Sequence, residues 1–89
     1  MPIREYKPDQ FFRASIDIMD DTEDYKTYVA EYFSWKVPRH GDAVFSDLQQ
    51  AEKFLLHAYA EDTPDVPASE RQSRMISCHQ RYAKAHEVG

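Results

Sequence analysis

The sequence predicts an α+β fold: a small antiparallel β-sheet led by an N-terminal hairpin, with two helices at its C-terminal side. Three observations predict it. Residues 12–18 alternate apolar and polar side chains without a break. β-branched and aromatic residues fill 13 of the 27 positions from 11 to 37, but only 3 of the 17 from 45 to 61. Residues 45–61 instead repeat apolar side chains at three- and four-residue intervals. With 89 residues the chain is expected to be a single small domain, 1–89, with room for one modest core. A deep cofactor cleft is not expected, since one βαβ unit alone takes ~30 residues.

The first strand is carried by Phe12, Ala14, Ile16 and Ile18, which alternate with Arg13, Ser15 and Asp17. The segment after it reads two ways. Tyr25, Tyr28, Val29, Tyr32 and Phe33 fit a helical stripe, whereas Thr27, Val29, Phe33, Trp35 and Val37 fit one face of a strand. The helical reading leads to the alternative architecture, an all-α four-helix bundle; the β-branched and aromatic content favours the hairpin. Pairing Met19 with Tyr25 sets Arg13 opposite Glu31 and Ile16 opposite Tyr28, a sensible cross-strand chemistry. The connecting loop is then Asp20-Asp21-Thr22-Glu23-Asp24. A short third strand is expected at residues 43–45.

Ser46 followed by Gln49 is a capping-box signature, and Asp47 adds negative charge at the positive end of the helix dipole, so a helix begins here. Leu48, Ala51, Phe54, Leu55, Ala58 and Tyr59 share one face, Gln49, Gln50, Lys53, His57 and Glu61 lie opposite, and Asp62-Thr63-Pro64 ends the helix. A second helix is expected over residues 68–87, after Pro67. Its stripe is thin: Met75, Cys78, Tyr82 and Ala85, with Arg71, Arg74, Arg81 and Lys84 over much of the remainder. Only Gly41 and Gly89 supply glycine, so turns must avoid positive φ or rely on residues such as Asp.

Sixteen acidic against eleven basic residues give a net charge of −5, which disfavours direct contact with nucleic acid. The sign is uneven, with residues 1–67 acidic and residues 68–89 mildly basic. Cys78 stands alone and cannot form an internal disulfide, so a cytoplasmic location is expected. No apolar run approaches a membrane span, the N-terminus lacks the apolar core of a signal peptide, and no membrane association is expected.

No residue pattern supports catalysis. A nucleophile needs a base and a group to orient it, and neither accompanies Cys78 or the serines. Asp17, Asp20, Asp21, Glu23 and Asp24 crowd five carboxylates together, yet they lack the glycine and terminal glutamate of a calcium loop. His40, His57, His79 and His86 lack the paired spacings of a zinc site. No cofactor, no metal and no enzymatic activity are expected. The aromatic strand is the more informative feature, because it carries large apolar groups on both faces. Either two helices sandwich it, or a partner covers one face; Tyr, Trp and Arg are the residue types that anchor interfaces.

The expected function is therefore that of a non-enzymatic, small acidic protein-binding module, an inhibitor or adaptor on a basic or aromatic-accepting surface of a larger complex. Small acidic proteins that block nucleic-acid-handling machinery, such as phage-encoded counter-defence factors, are one class that this physical profile would suit by analogy. Asp20, Asp21, Glu23 and Asp24 would steer the partner, and Tyr28, Tyr32 and Trp35 would anchor it. The alternative is a structural subunit or homodimerising domain that closes the aromatic face on a second copy.

Overall fold

A computed structural model describes residues 3–21 and 26–76, with Asp20 and Asp21 described as backbone only. Four strands, β1 (Arg4–Asp9), β2 (Phe12–Asp21), β3 (Lys26–Ser34) and β4 (Arg39–Phe45), form one antiparallel sheet in chain order. Helix α1 (Leu48–Asp62) follows, and a second helix, α2, runs over residues 68–76 of the described chain. The fold is thus α+β, and the four-helix alternative is overturned. The continuation of α2 expected to residue 87, with Cys78, Tyr82, Arg81 and Lys84, lies outside the described residues.

The sheet corrects the expected layout in five places. Strand β1 was not expected from the sequence. It is an edge strand, and its pairing with β2 shifts register between Tyr6 and Asp9, so Pro8 sits where a missing N–H donor is tolerated. The β2–β3 register differs by two residues from the expected one: Arg13 pairs with Phe33 and Ile16 with Ala30. A shift of two keeps the side chains from Phe12 to Ile18 on their expected face, because side chains alternate with period two. Strand β2 runs on to Asp21, so only residues 22–25 separate it from β3. At its other end β3 stops at Ser34, leaving Trp35 and Val37 in a four-residue turn, and β4 covers seven residues where a three-residue strand was expected.

No non-glycine residue among those described has positive φ. The β1–β2 turn at Gln10 and Phe11 avoids that geometry with an aspartate: the Phe11 N–H donates to Asp9 Oδ1 at 2.8 Å.

The core lies between one face of the sheet and α1. Tyr6, Phe12, Ala14, Ile16 and Ala30 meet Ala51, Leu55, Ala58 and Tyr59, and Met75 joins them from α2. Alanines at positions 14, 30 and 43 are small enough for α1 to lie close over β3. Phe12 packs its ring on Tyr59 at 5.0 Å and stacks on Tyr32 at 5.9 Å. The predicted apolar face of α1 is the one buried. Its N-cap is Asp47, not Ser46: Asp47 Oδ1 accepts from the Gln49 N–H at 3.3 Å.

Helix α1 has no basic residue in its last turn to meet the negative end of its dipole. Arg39 of β4 supplies one from across the core. Its guanidinium donates to the Ala58 carbonyl at 2.8 Å, to Asp62 Oδ1 at 3.1 and 2.8 Å, and to Glu61 Oε2 at 2.8 Å. It also lies over the Tyr32 ring at 5.3 Å. Burial works against the Arg39 charge, but the hydrogen bonds to Asp62 and Glu61 outweigh it and hold its pKa above the ordinary arginine value. Helix α2 is tied on by arginines that the sequence alone places on a solvated face. Arg71 donates to the Thr63 carbonyl and hydroxyl, each at 3.1 Å, and Arg74 donates to the Tyr59 hydroxyl at 2.9 Å. Tyr59 in turn donates to Asp9 Oδ2 at 2.9 Å, linking the first turn to both helices.

Candidate functional site

Because the helices occupy one side of the sheet, the other side is open among the described residues. Strand parity decides which side chains stand there. Phe12, Ala14 and Ile16 face α1, and their partners Ser34, Tyr32 and Ala30 face the same way. Arg13, Ser15 and Asp17 of β2 and Val29, Glu31 and Phe33 of β3 consequently point away from the helices, together with His40, Asp42 and Val44 of β4.

Three transverse rows cross this open face. Asp17, Val29 and Val44 form one. Glu5, Ser15, Glu31 and Asp42 form the next, one residue from each strand. Arg13, Phe33 and His40 form the third, with the Phe33 ring stacked on His40 at 5.8 Å. Trp35 stands at the end of the face beyond this row, with the Arg13 guanidinium over its ring at 5.7 Å and its N–H donating to the Phe11 carbonyl at 2.8 Å. Val44 is 57% exposed, Trp35 56% and Phe33 44%, high values for large apolar side chains gathered on one surface.

The expected partner-binding residues that are described do not come together. Tyr28 and Tyr32 lie on the helix side, half-buried against the core, with Tyr32 held between Phe12, Phe54 and Arg39. Trp35 is exposed as expected. The backbones of Asp20 and Asp21 close the far end of the β2–β3 ladder, opposite Thr27 and Lys26, while Glu23 and Asp24 lie outside the described residues. From Thr27 to Ser34 the strand rises ~24 Å, so the backbones of Asp20 and Asp21 and that of Trp35 stand at opposite ends of the sheet, more than two screening lengths apart. Phe33, Val44, Glu31 and Asp42 are the residues that sequence reasoning passed over. The signal for Phe33 was present: once Ile16 is set opposite Tyr28, even-numbered residues of both strands share the core face and odd-numbered ones do not.

The shifted titrations belong to the helix side. Burial pushes the Tyr6 phenol up to about 12, and the nearby Glu52 carboxylate adds to it. Burial likewise raises Tyr59, against the pull of Arg74. Arg74 is raised by its hydrogen bond to Tyr59 and then by Glu70. These groups are engaged in holding the helices, and none lies on the open face. Among the described residues no cluster of three or more His, Cys, Asp or Glu side chains is placed to hold a metal ion, and no helix is long and apolar enough to cross a membrane. A groove of about 450 Å³ runs between β1, α1 and α2, lined by Tyr6, Leu56, Met75 and Ile76, the last described residue of the chain.

No protein-family model matches the chain, and no curated protein or solved structure shows significant similarity to it.

Proposed function

We propose that the chain is a non-enzymatic protein-binding module, an inhibitor or adaptor, and that it docks through the open face of its sheet. One observation carries the reading: Phe33, Trp35 and Val44 are exposed on the face opposite α1, around a row of carboxylates. A sheet with one face in water usually makes that face polar, as the alternation rule requires. Large apolar groups there have the composition of an interface core, and the charged residues around them that of its rim. Trp35 and Phe33 act as the anchors, each offering a rigid ring of large area at little entropic cost.

The test compares three forms of the protein immobilised at equal density in a lysate of the organism that encodes it. They are the wild type, Phe33→Ala with Trp35→Ala, and a control with Gln50→Ala and His57→Ala on the outer side of α1. Circular dichroism first establishes that all three are folded. A protein retained by the wild type and the control, and lost by the face variant, is the expected result. Equal retention by all three overturns the reading. Light scattering covers self-association: a wild-type dimer that the face variant disperses assigns the face to a second copy and overturns the foreign partner.

A further inference from the structure

The carboxylates of the open face determine what kind of partner fits it. Glu31 and Asp42 are directly opposite one another on β3 and β4, and both are exposed. Neighbouring strands lie ~4.8 Å apart, so two negative charges stand side by side, an arrangement that destabilises a sheet. Glu5 belongs to the same row, beyond Ser15. Acids on the helix side are answered by bases: Glu52 by Arg4 at 3.4 Å, Glu61 and Asp62 by Arg39, Glu70 by Arg74 at 3.1 Å. The carboxylates of Glu5, Glu31 and Asp42 have no hydrogen bond or ion pair among the described residues. The arginine nearest in the sheet, Arg13, is stacked on Trp35.

We infer that the open face takes a cationic segment of a partner protein, with one arginine or lysine side chain seated between Glu31 and Asp42. This rests on the reading of the face as a protein-binding surface. A guanidinium or ammonium in that seat hydrogen-bonds both carboxylates, and removes the repulsion between them. Its aliphatic stem lies against Phe33 and Val44, which flank the pair on either side along the strands. A second copy of this chain fits poorly, because face-to-face contact would bring a second carboxylate row toward the first in a molecule already at −5. A metal ion lacks the third ligand it would need.

The experiment uses the full chain and a hexa-arginine peptide, with hexa-glutamate as the control, at ~150 mM salt where long-range attraction is screened. Asp42→Asn on the face is compared with Asp65→Asn away from it, which changes the net charge equally. Three results are expected. Hexa-arginine shifts the amide resonances of residues 29–33 and 40–44 of the wild type. Asp42→Asn weakens its binding about fivefold or more, and Asp65→Asn by less than about twofold. Without peptide, Asp42→Asn raises Tm by about 1–5 °C as the like-charge pair is relieved, and Asp65→Asn leaves it unchanged. Equal weakening by both variants, or shifts that avoid the face, overturns the cation seat. The two readings also fail separately. A native partner lost by Phe33→Ala with Trp35→Ala, but kept at full affinity by Glu31→Gln with Asp42→Asn, leaves the docking face standing and overturns the cationic partner. A native partner kept by the first variant overturns the docking face itself.

Discussion

Replacing Arg39 with Met removes the one side chain that closes the C-terminal end of α1 from β4. The magnitude follows from its contacts. The Asp62 carboxylate is 5% exposed and receives two hydrogen bonds from Arg39 through Oδ1, while its Oδ2 is buried without a partner. Taking away the guanidinium leaves both oxygens unanswered at the negative end of a helix dipole. Removing one partner of a buried ion pair costs ~3–5 kcal/mol. Arg39 is itself 28% exposed, which lowers the figure toward ~2–3 kcal/mol. The half-exposed Glu61 pair contributes ~0.5 kcal/mol and the contact with the Tyr32 ring a similar amount. A loss of ~2–4 kcal/mol is therefore expected, a large share of the ~4–13 kcal/mol that a domain of this size possesses. Urea unfolding followed by circular dichroism measures it, with a fall in Tm of roughly 10–30 °C as the thermal counterpart. The double variant Arg39→Met with Asp62→Leu removes both charges and should recover at least ~1 kcal/mol relative to additivity. A loss below ~1 kcal/mol in the single variant, or strict additivity in the double, would refute the view that this pair holds the helix to the sheet.

Gly41→Ala tests a close approach: a Cβ at Gly41 would stand 2.9 Å from Cε1 and from the hydroxyl of Tyr32, whose ring is held by Phe12, Phe54 and Arg39. The variant should lose ~1–3 kcal/mol in the same unfolding assay, the usual range for overpacking, and an unchanged midpoint would mean that the ring yields freely. For Tyr6, the phenol is neutral in both states below pH 10, whereas between pH 10 and about 12 only the unfolded chain ionises. Stability therefore falls as pH rises through that window, by at most about 2–3 kcal/mol from this group. Tyr6→Phe should flatten much of the decline in Tm between pH 10 and 12, and an equally steep decline in the variant would assign it elsewhere.

The local elements were legible in the sequence wherever one physical signal dominated. Seven alternating residues from Phe12 to Ile18 determined a strand, and the spacing of Leu48, Ala51, Leu55, Ala58 and Tyr59 determined both the helix and its buried face, because periodicity records which side chains must leave water. Strand β1 was not legible: Tyr6 stands among the charged residues Arg4, Glu5 and Lys7 with no apolar alternation, and Pro8 argues against a strand until an edge position makes its missing N–H harmless. The exact register was not legible either, since pairings two residues apart bury the same faces. The capping residue was decided by which side-chain oxygen, the Ser46 hydroxyl or the Asp47 carboxylate, reached the Gln49 N–H, and no spacing rule distinguishes the two at that range. Tertiary structure alone determined the rest. Both helices lie on one side of the sheet, with α2 held there by Arg71 and Arg74, so Tyr28 and Tyr32 were packed half-buried against the core while Phe33, Val44 and the Glu31–Asp42 pair were left in water. A strand with apolar groups on both faces states only that each face needs a cover; which face the chain covers itself depends on contacts between residues as distant as Arg39 and Asp62, or Asp9 and Tyr59, and these exist only once the chain has closed on itself.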